Sequence, residues 1–176
     1  NISWKEHIID DSSIGPPDLA GSDGLVMADL DKDGYLDIIS VHELDTEYGF
    51  PEGYVRIAWG SQDPLTWIST TLASGSEAPS AEDVDVADAD GDGWLDIVVA
   101  CELAHLVYFK NPTKNHREVR WERTIPQSTL NRGSFIRVFF SDLDDDGKVE
   151  VITANKGGEN ATGSNSPLKN VSFYKL

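Results

Sequence analysis

The sequence predicts an all-β chain of repeated four-stranded antiparallel units, and three observations predict it. An acidic motif occurs three times, as Asp29-Leu-Asp31-Lys-Asp33-Gly34-Tyr35-Leu-Asp37, Asp88-Ala-Asp90-Gly-Asp92-Gly93-Trp94-Leu-Asp96 and Asp142-Leu-Asp144-Asp-Asp146-Gly147-Lys148-Val-Glu150. Each copy is flanked by alternating or β-branched apolar residues, such as Val84-Asp-Val-Ala before and Ile97-Val-Val after, which is strand chemistry. The copies start 59 and 54 residues apart, room for four short strands and their turns, the size of a β-propeller blade. No helical period is sustained; the patch from Ala100 to Leu106 is too short to stand alone.

Taken in order, Trp4–Ile9 reads as a strand that belongs to a preceding blade or closes a ring. A Gly/Pro/Asp-rich connector, 10–24, follows. Blade one spans about 25–72, with strands Leu25–Ala28, Tyr35–Val41, Tyr54–Trp59 and Trp67–Leu72. Blade two spans about 83–125, with Asp83–Ala87, Trp94–Cys101, His105–Lys110 and Arg120–Ile125. Blade three spans about 135–176, with Phe135–Phe140, Lys148–Ala154 and Val171–Leu176, and lacks a fourth strand. Turn formers punctuate the gaps, among them Ser61-Gln-Asp63-Pro64 and Asn111-Pro112. Trp4, Trp67 and Trp121 recur once per unit, a period that suits packing between blades. Propellers have about four to eight blades. Three blades therefore point to a segment of a larger propeller, or to copies that assemble into one, since open sheet edges are a liability.

The motif reads D-x-D-x-D-G-x-x-[DE], with carboxylates at positions 1, 3, 5 and 9. Glycine at position 6 permits a sharp turn, because it has no Cβ to clash at positive φ. Carboxylates this close repel without a cation. A set made only of oxygens suits Ca²⁺, which takes six to eight of them, better than Mg²⁺, which keeps several waters. A backbone carbonyl at position 7 can add to the set. A single such loop can be a solvated turn; three in register argue for metal. An EF-hand needs a glutamate at position 12 and flanking helices. Position 12 is Ser40, Val99 and Thr153, and the flanks are strands.

The net charge of −17, from 31 acidic and 14 basic residues, stays negative even with three bound divalent ions. It disfavours nucleic acid and anionic membranes as partners. Nothing resembles a membrane-inserting run. An acidic, calcium-dependent chain suits a secreted or cell-surface setting. Cys101, the single cysteine, ends an apolar strand and reads as a buried thiol. Sequons occur at Asn1, Asn160 and Asn170.

The loops with their flanks, Ala28-Asp-Leu-Asp-Lys-Asp-Gly-Tyr-Leu-Asp-Ile-Ile and Ala87-Asp-Ala-Asp-Gly-Asp-Gly-Trp-Leu-Asp-Ile-Val-Val, resemble the FG-GAP/VCBS repeat family, whose arrangement is that of integrin-α propellers. The resemblance implies a seven-bladed propeller with one Ca²⁺ per loop, up to three in this chain. It implies as ligands Asp29, Asp31, Asp33, Tyr35 (carbonyl) and Asp37; Asp88, Asp90, Asp92, Trp94 (carbonyl) and Asp96; and Asp142, Asp144, Asp146, Lys148 (carbonyl) and Glu150. The third loop departs from the pattern with Glu at position 9. Family members bind proteins or glycans, or support catalytic domains, so the motif does not fix a function.

The blade end opposite these loops should collect His42, Glu43, Asp45 and Glu47 from blade one. Blade two adds Glu77, Glu82, Asp83, Glu102 and His105, and blade three adds Asn131, Arg132, Asn155, Lys156 and Glu159. These are solvated loop residues, a face for a glycan or an extracellular protein, or half of a His/Glu acid–base centre. No G-x-S-x-G, H-E-x-x-H or phosphate-cradling loop is present. The expected function is a calcium-binding scaffold or recognition module. A propeller of a polysaccharide lyase or sugar dehydratase, and a self-assembling ring or fibre subunit, are the alternatives.

Overall fold

The computed structural model describes residues 2–44, 52–102, 104–130, 132–157 and 170–175. Its strands are β1 (Gly24–Ala28), β2 (Asp37–Leu44), β3 (Glu52–Trp59), β4 (Ile68–Gly75), β5 (Ala81–Ala87), β6 (Asp96–Cys101), β7 (Leu106–Lys110), β8 (Glu122–Thr124), β9 (Phe135–Ser141), β10 (Glu150–Asn155) and β11 (Asn170–Lys175). They form three antiparallel meanders, β1-β2-β3-β4, β5-β6-β7-β8 and β11-β10-β9, with no helix among the described residues. These are the predicted blades, the third with three strands.

The first strands lie side by side. β5 packs against β1 and β2 on one flank and against β9 on the other. At Gly24 the chains come so close that an added Cβ would lie 2.8 Å from the Glu82 carbonyl oxygen. On the other flank, carboxylates on β5 cap β9. Asp83 accepts the Val138 N–H at 3.0 Å and Asp85 accepts the Phe140 N–H at 2.7 Å.

Two cores result. Ile39, Val41, Val55, Ile57 and Trp59 of the first sheet meet Val84, Ile97, Val99, Val107 and Phe109 of the second, with Trp121 beside them. Val98, Ala100 and Leu106 meet Phe135, Val138 and Val151 of the third. Blade two thus has apolar neighbours on both faces, which is why β6 is buried at every residue and reads as an unbroken apolar run. The outward face of the third sheet stays open. Its register sets Phe139, Ile152 and Phe173 in a row, and Phe139 and Phe173 are 53% and 60% exposed.

Three expectations are corrected. Residues 4–9 form no strand, and Trp4 and Ile8 are exposed. The segment that follows is tied instead to the outward face of blade one. Asp10 pairs with Arg56 at 2.6 and 2.9 Å, Asp18 accepts from the Tyr54 hydroxyl at 2.8 Å, and Leu19 is buried. Of the three recurring tryptophans, Trp121 is in a core, whereas Trp4 is not. The second strands also begin at position 9 of each motif rather than position 7, because the position-7 N–H is held inside the loop.

Candidate metal centre

Each acidic motif forms the loop between the first two strands of its sheet, and all three loops are wound alike. Positions 4 and 6 are left-handed: Lys32, Gly91 and Asp145 have φ of 58, 78 and 57°, and Gly34, Gly93 and Gly147 have φ of 91, 90 and 84°. The position-1 carboxylate holds the turn. Asp29 accepts the Asp33 and Gly34 N–H at 3.1 and 3.0 Å, Asp142 accepts those of Asp146 and Gly147 at 3.1 and 2.8 Å, and Asp88 accepts that of Gly93 at 2.9 Å. The position-5 carboxylate accepts the position-7 N–H, at 2.9 Å from Tyr35, 3.0 Å from Trp94 and 2.9 Å from Lys148.

This winding gathers Asp29, Asp31 and Asp33, then Asp88, Asp90 and Asp92, then Asp142, Asp144 and Asp146, so that one oxygen of each lies within 4.8 Å of the others in its group. Asp31 Oδ1 and Asp88 Oδ1 are buried with no hydrogen-bond donor. A buried carboxylate oxygen without a donor is costly unless a cation meets it. Three hard oxygens on a half-open turn fit a calcium ion, with water and backbone oxygens to complete its shell.

Position 9 is engaged by backbone donors. Asp37, Asp96 and Glu150 are buried and lie outside the three gathered groups. Each accepts the N–H of position 2 in its own loop: Leu30 at 2.9 Å, Ala89 at 3.2 Å and Leu143 at 2.9 Å. Asp37 also accepts the Gly60 N–H at 2.9 Å. Asp96 accepts the Asn111 N–H at 2.8 Å and the Tyr108 hydroxyl at 2.7 Å. In the first two sheets these carboxylates fasten the loop to the residue that follows the third strand. Burial pushes Asp37 up to about 6 and raises Asp96, against the pull of those N–H donors.

Basic side chains enter all three loops. Arg117 reaches Asp31 at 2.7 Å and Asp33 at 2.8 Å. Lys110 pairs with Asp90 and lies 3.5 Å from Asp92. Lys175 lies 2.5 Å from Asp144 and 3.5 Å from Glu150. These lysines hold Asp90 and Asp144 below the usual carboxylate range. Loops one and two are also joined to each other. Asn111 Nδ2 donates to the Leu30 and Leu95 carbonyls, both at 3.0 Å. Lys32 donates to the Gly93 carbonyl at 2.7 Å and lies 4.1 Å above the Trp94 ring. Sequence reading passed over these basic residues and Asn111. A signal existed for two of them, since Tyr108-Phe109-Lys110 and Phe173-Tyr174-Lys175 end equivalent strands.

At the opposite end, Glu43, Glu82 and Glu102 come within 4.8 Å of one another, and Lys156 pairs with Glu102. Burial, a hydrogen bond to Glu102 and the nearby Glu43 raise Glu82 to about 7. The other residues expected there are engaged differently. Asp83 caps β9. His42 is buried, with Nδ1 2.8 Å from the Ala20 carbonyl and Nε2 2.9 Å from Ser40 Oγ. His105 is buried with neither ring nitrogen hydrogen-bonded, and burial pushes it down to about 4. Neither histidine stands as a solvent-facing acid–base partner to these glutamates. Glu77 pairs with Arg120, at the edge between β4 and the connector before β8. The Arg132 carbonyl accepts from Asn155 Nδ2 at 3.0 Å, which makes this corner a backbone brace. Asp45, Glu47, Asn131 and Glu159 lie outside the described residues, as do the sequons at Asn1 and Asn160. Cys101 is buried, as expected, and burial pushes its thiol up to about 12.

No curated protein matches the chain. A family model described as an FG-GAP-like repeat matches residues 43–99, less than half of the chain, running from the end of β2 through β3, β4 and β5 to the second acidic loop and β6. The matched stretch is thus offset from the blade, beginning in one sheet and ending in the next. The acidic loop, the strand pairing and this match agree: residues 43–99 match an FG-GAP-like repeat, in a chain whose antiparallel sheets are consistent with propeller-like blades.

Proposed function

We propose that this chain is a calcium-stabilised propeller segment, a scaffold and recognition module for a secreted or cell-surface setting. The observation that carries the reading is the threefold acid cage, with positions 1, 3 and 5 converging and a buried oxygen without a donor in two of the cages. Asp29, Asp31 and Asp33, their counterparts in the other loops, and the carbonyls of Tyr35, Trp94 and Lys148 hold the ion. The position-9 acids buttress the loop from behind. The ion's chemistry here is charge neutralisation and the fixing of a turn, with no reaction step. An ion that binds only the folded chain stabilises it by about 2.7 kcal/mol per site at a hundred times its Kd. Millimolar calcium outside cells suits modest affinities of this kind.

The end opposite the loops, where glutamates from blades one and two meet Lys156 of blade three, is the face we assign to a glycan or protein partner. The open row of Phe139, Ile152 and Phe173 suits packing against another blade.

Thermal melts in calcium and in EDTA, together with calorimetric ion counting, test the reading. The expected result is up to three ions per chain and a melting temperature at least 10 °C lower in EDTA, a conservative bound for two or more sites at about 2.7 kcal/mol each. Equal melts with no heat of calcium binding would overturn it.

A further inference from the structure

The three basic side chains in the acidic loops arrive by two routes, and the difference is informative. In sheet three, Lys175 pairs in register with the position-9 residue, Glu150. In sheet two, Ile97 pairs with Phe109, so Lys110 falls beside the position-9 residue Asp96. The equivalent place in sheet one, where Ile38 pairs with Ala58, belongs to Trp59, which carries no charge. There Arg117 comes across from the connector between β7 and β8, lies 5.1 Å over the Trp59 ring and reaches the first loop. A lysine missing from one blade is thus replaced by an arginine from its neighbour.

In every loop the base contacts position 3, through Asp31 Oδ2, Asp90 Oδ2 or Asp144 Oδ2, and in loops one and two it also approaches position 5. The position-1 carboxylates are bound to turn N–H groups instead. The base therefore takes oxygens that a metal ion needs. A cationic nitrogen and a divalent ion cannot both sit on one carboxylate without strong repulsion at that range.

Resting on the calcium reading, we propose that Arg117, Lys110 and Lys175 are intramolecular counter-ions that occupy the loops of the ion-free protein and are displaced when a divalent cation binds. They hold the acid cages together without metal, and they weaken the affinity of the loops for it. In loop one the displaced base comes from blade two, so ion binding there releases a contact that crosses the blade boundary.

The test is calcium titration by calorimetry of the full chain and of Arg117→Met, Lys110→Met and Lys175→Met, with melting temperatures in EDTA. The counter-ion role predicts opposite signs in each variant. One of the sites tightens roughly three- to tenfold, the scale of losing a partly exposed ion pair and its repulsion of the ion. The ion-free melting temperature falls. Arg117→Lys keeps the charge and should stay within about twofold of the parent. Sites that are unchanged or weaker in the methionine variants, while the parent binds calcium, overturn the counter-ion role and leave the calcium reading standing. So does an Arg117→Lys that behaves like Arg117→Met, since packing on Trp59 would then be the cause. A parent chain that binds no calcium overturns both.

Discussion

Replacing Asp96 with alanine separates the two roles a position-9 carboxylate can have. Asp96 is fully buried and accepts from the Ala89 N–H, the Asn111 N–H and the Tyr108 hydroxyl. Alanine leaves the buried Asn111 N–H and the half-buried Ala89 N–H without an acceptor, while the partly exposed Tyr108 can turn toward water. Each orphaned donor costs about 1–3 kcal/mol, so the loss is roughly 2–6 kcal/mol, a large part of the 5–15 kcal/mol that holds an ordinary domain together. Urea unfolding in EDTA and in saturating calcium measures it. A buttress predicts a similar loss in both conditions. Asp90→Ala, by contrast, should cost about 1 kcal/mol or less in EDTA and remove one ion from the calorimetric count. Should Asp96→Ala prove harmless in EDTA and costly only in calcium, Asp96 is a metal ligand and the buttress argument fails.

Lowering the pH from 7 to 5 should destabilise the protein by about 2 kcal/mol through His105 alone, and His105→Leu should remove that part of the slope. The sign follows from burial, helped by Arg123, which holds the folded imidazole neutral down to about 4 while the unfolded one takes a proton near 6.5. The stability is fully present above pH 6.5 and is lost as the pH falls toward 4; identical slopes in parent and variant would refute the assignment. Phe173→Glu, on the open face of the third sheet, should leave the melting temperature nearly unchanged, because Phe173 is 60% exposed. It should shift any concentration-dependent assembly toward monomer in light scattering. A parent chain that remains monomeric at high concentration counts against packing between copies on that face.

The blades were readable in the chain because strand alternation and turn residues are local signals. The unbroken run Ile97-Val98-Val99-Ala100-Cys101 read as an apolar strand, and the structure buries it at every residue. The cage positions were readable for the same reason, since positions 1 to 6 fold upon themselves. Position 9 was not. An aspartate that buttresses and one that ligates look alike in sequence, and the partners that decide between them, Gly60 and Asn111, come from the far end of another strand. Arg117 was further out of reach, 86 residues from Asp31, and becomes its neighbour only when two blades pack. Residues 4–9 have a strand's composition, but a strand also needs an edge to pair with. Their neighbour Asp10 is drawn to Arg56 instead.

Asn111 joins two loops through a single amide group, and that makes its chemical durability a condition of the joint. Conversion of this side chain to a carboxylate would exchange a donor shared by the Leu30 and Leu95 carbonyls for an acceptor that repels both. Asparagine ages in this way chiefly when the next residue's backbone nitrogen attacks the side-chain carbonyl. The next residue is Pro112, whose nitrogen has no hydrogen to give up. The side chain that links the first two blades at their acidic rim is therefore shielded, by its neighbour in the chain, from the commonest spontaneous damage an asparagine suffers.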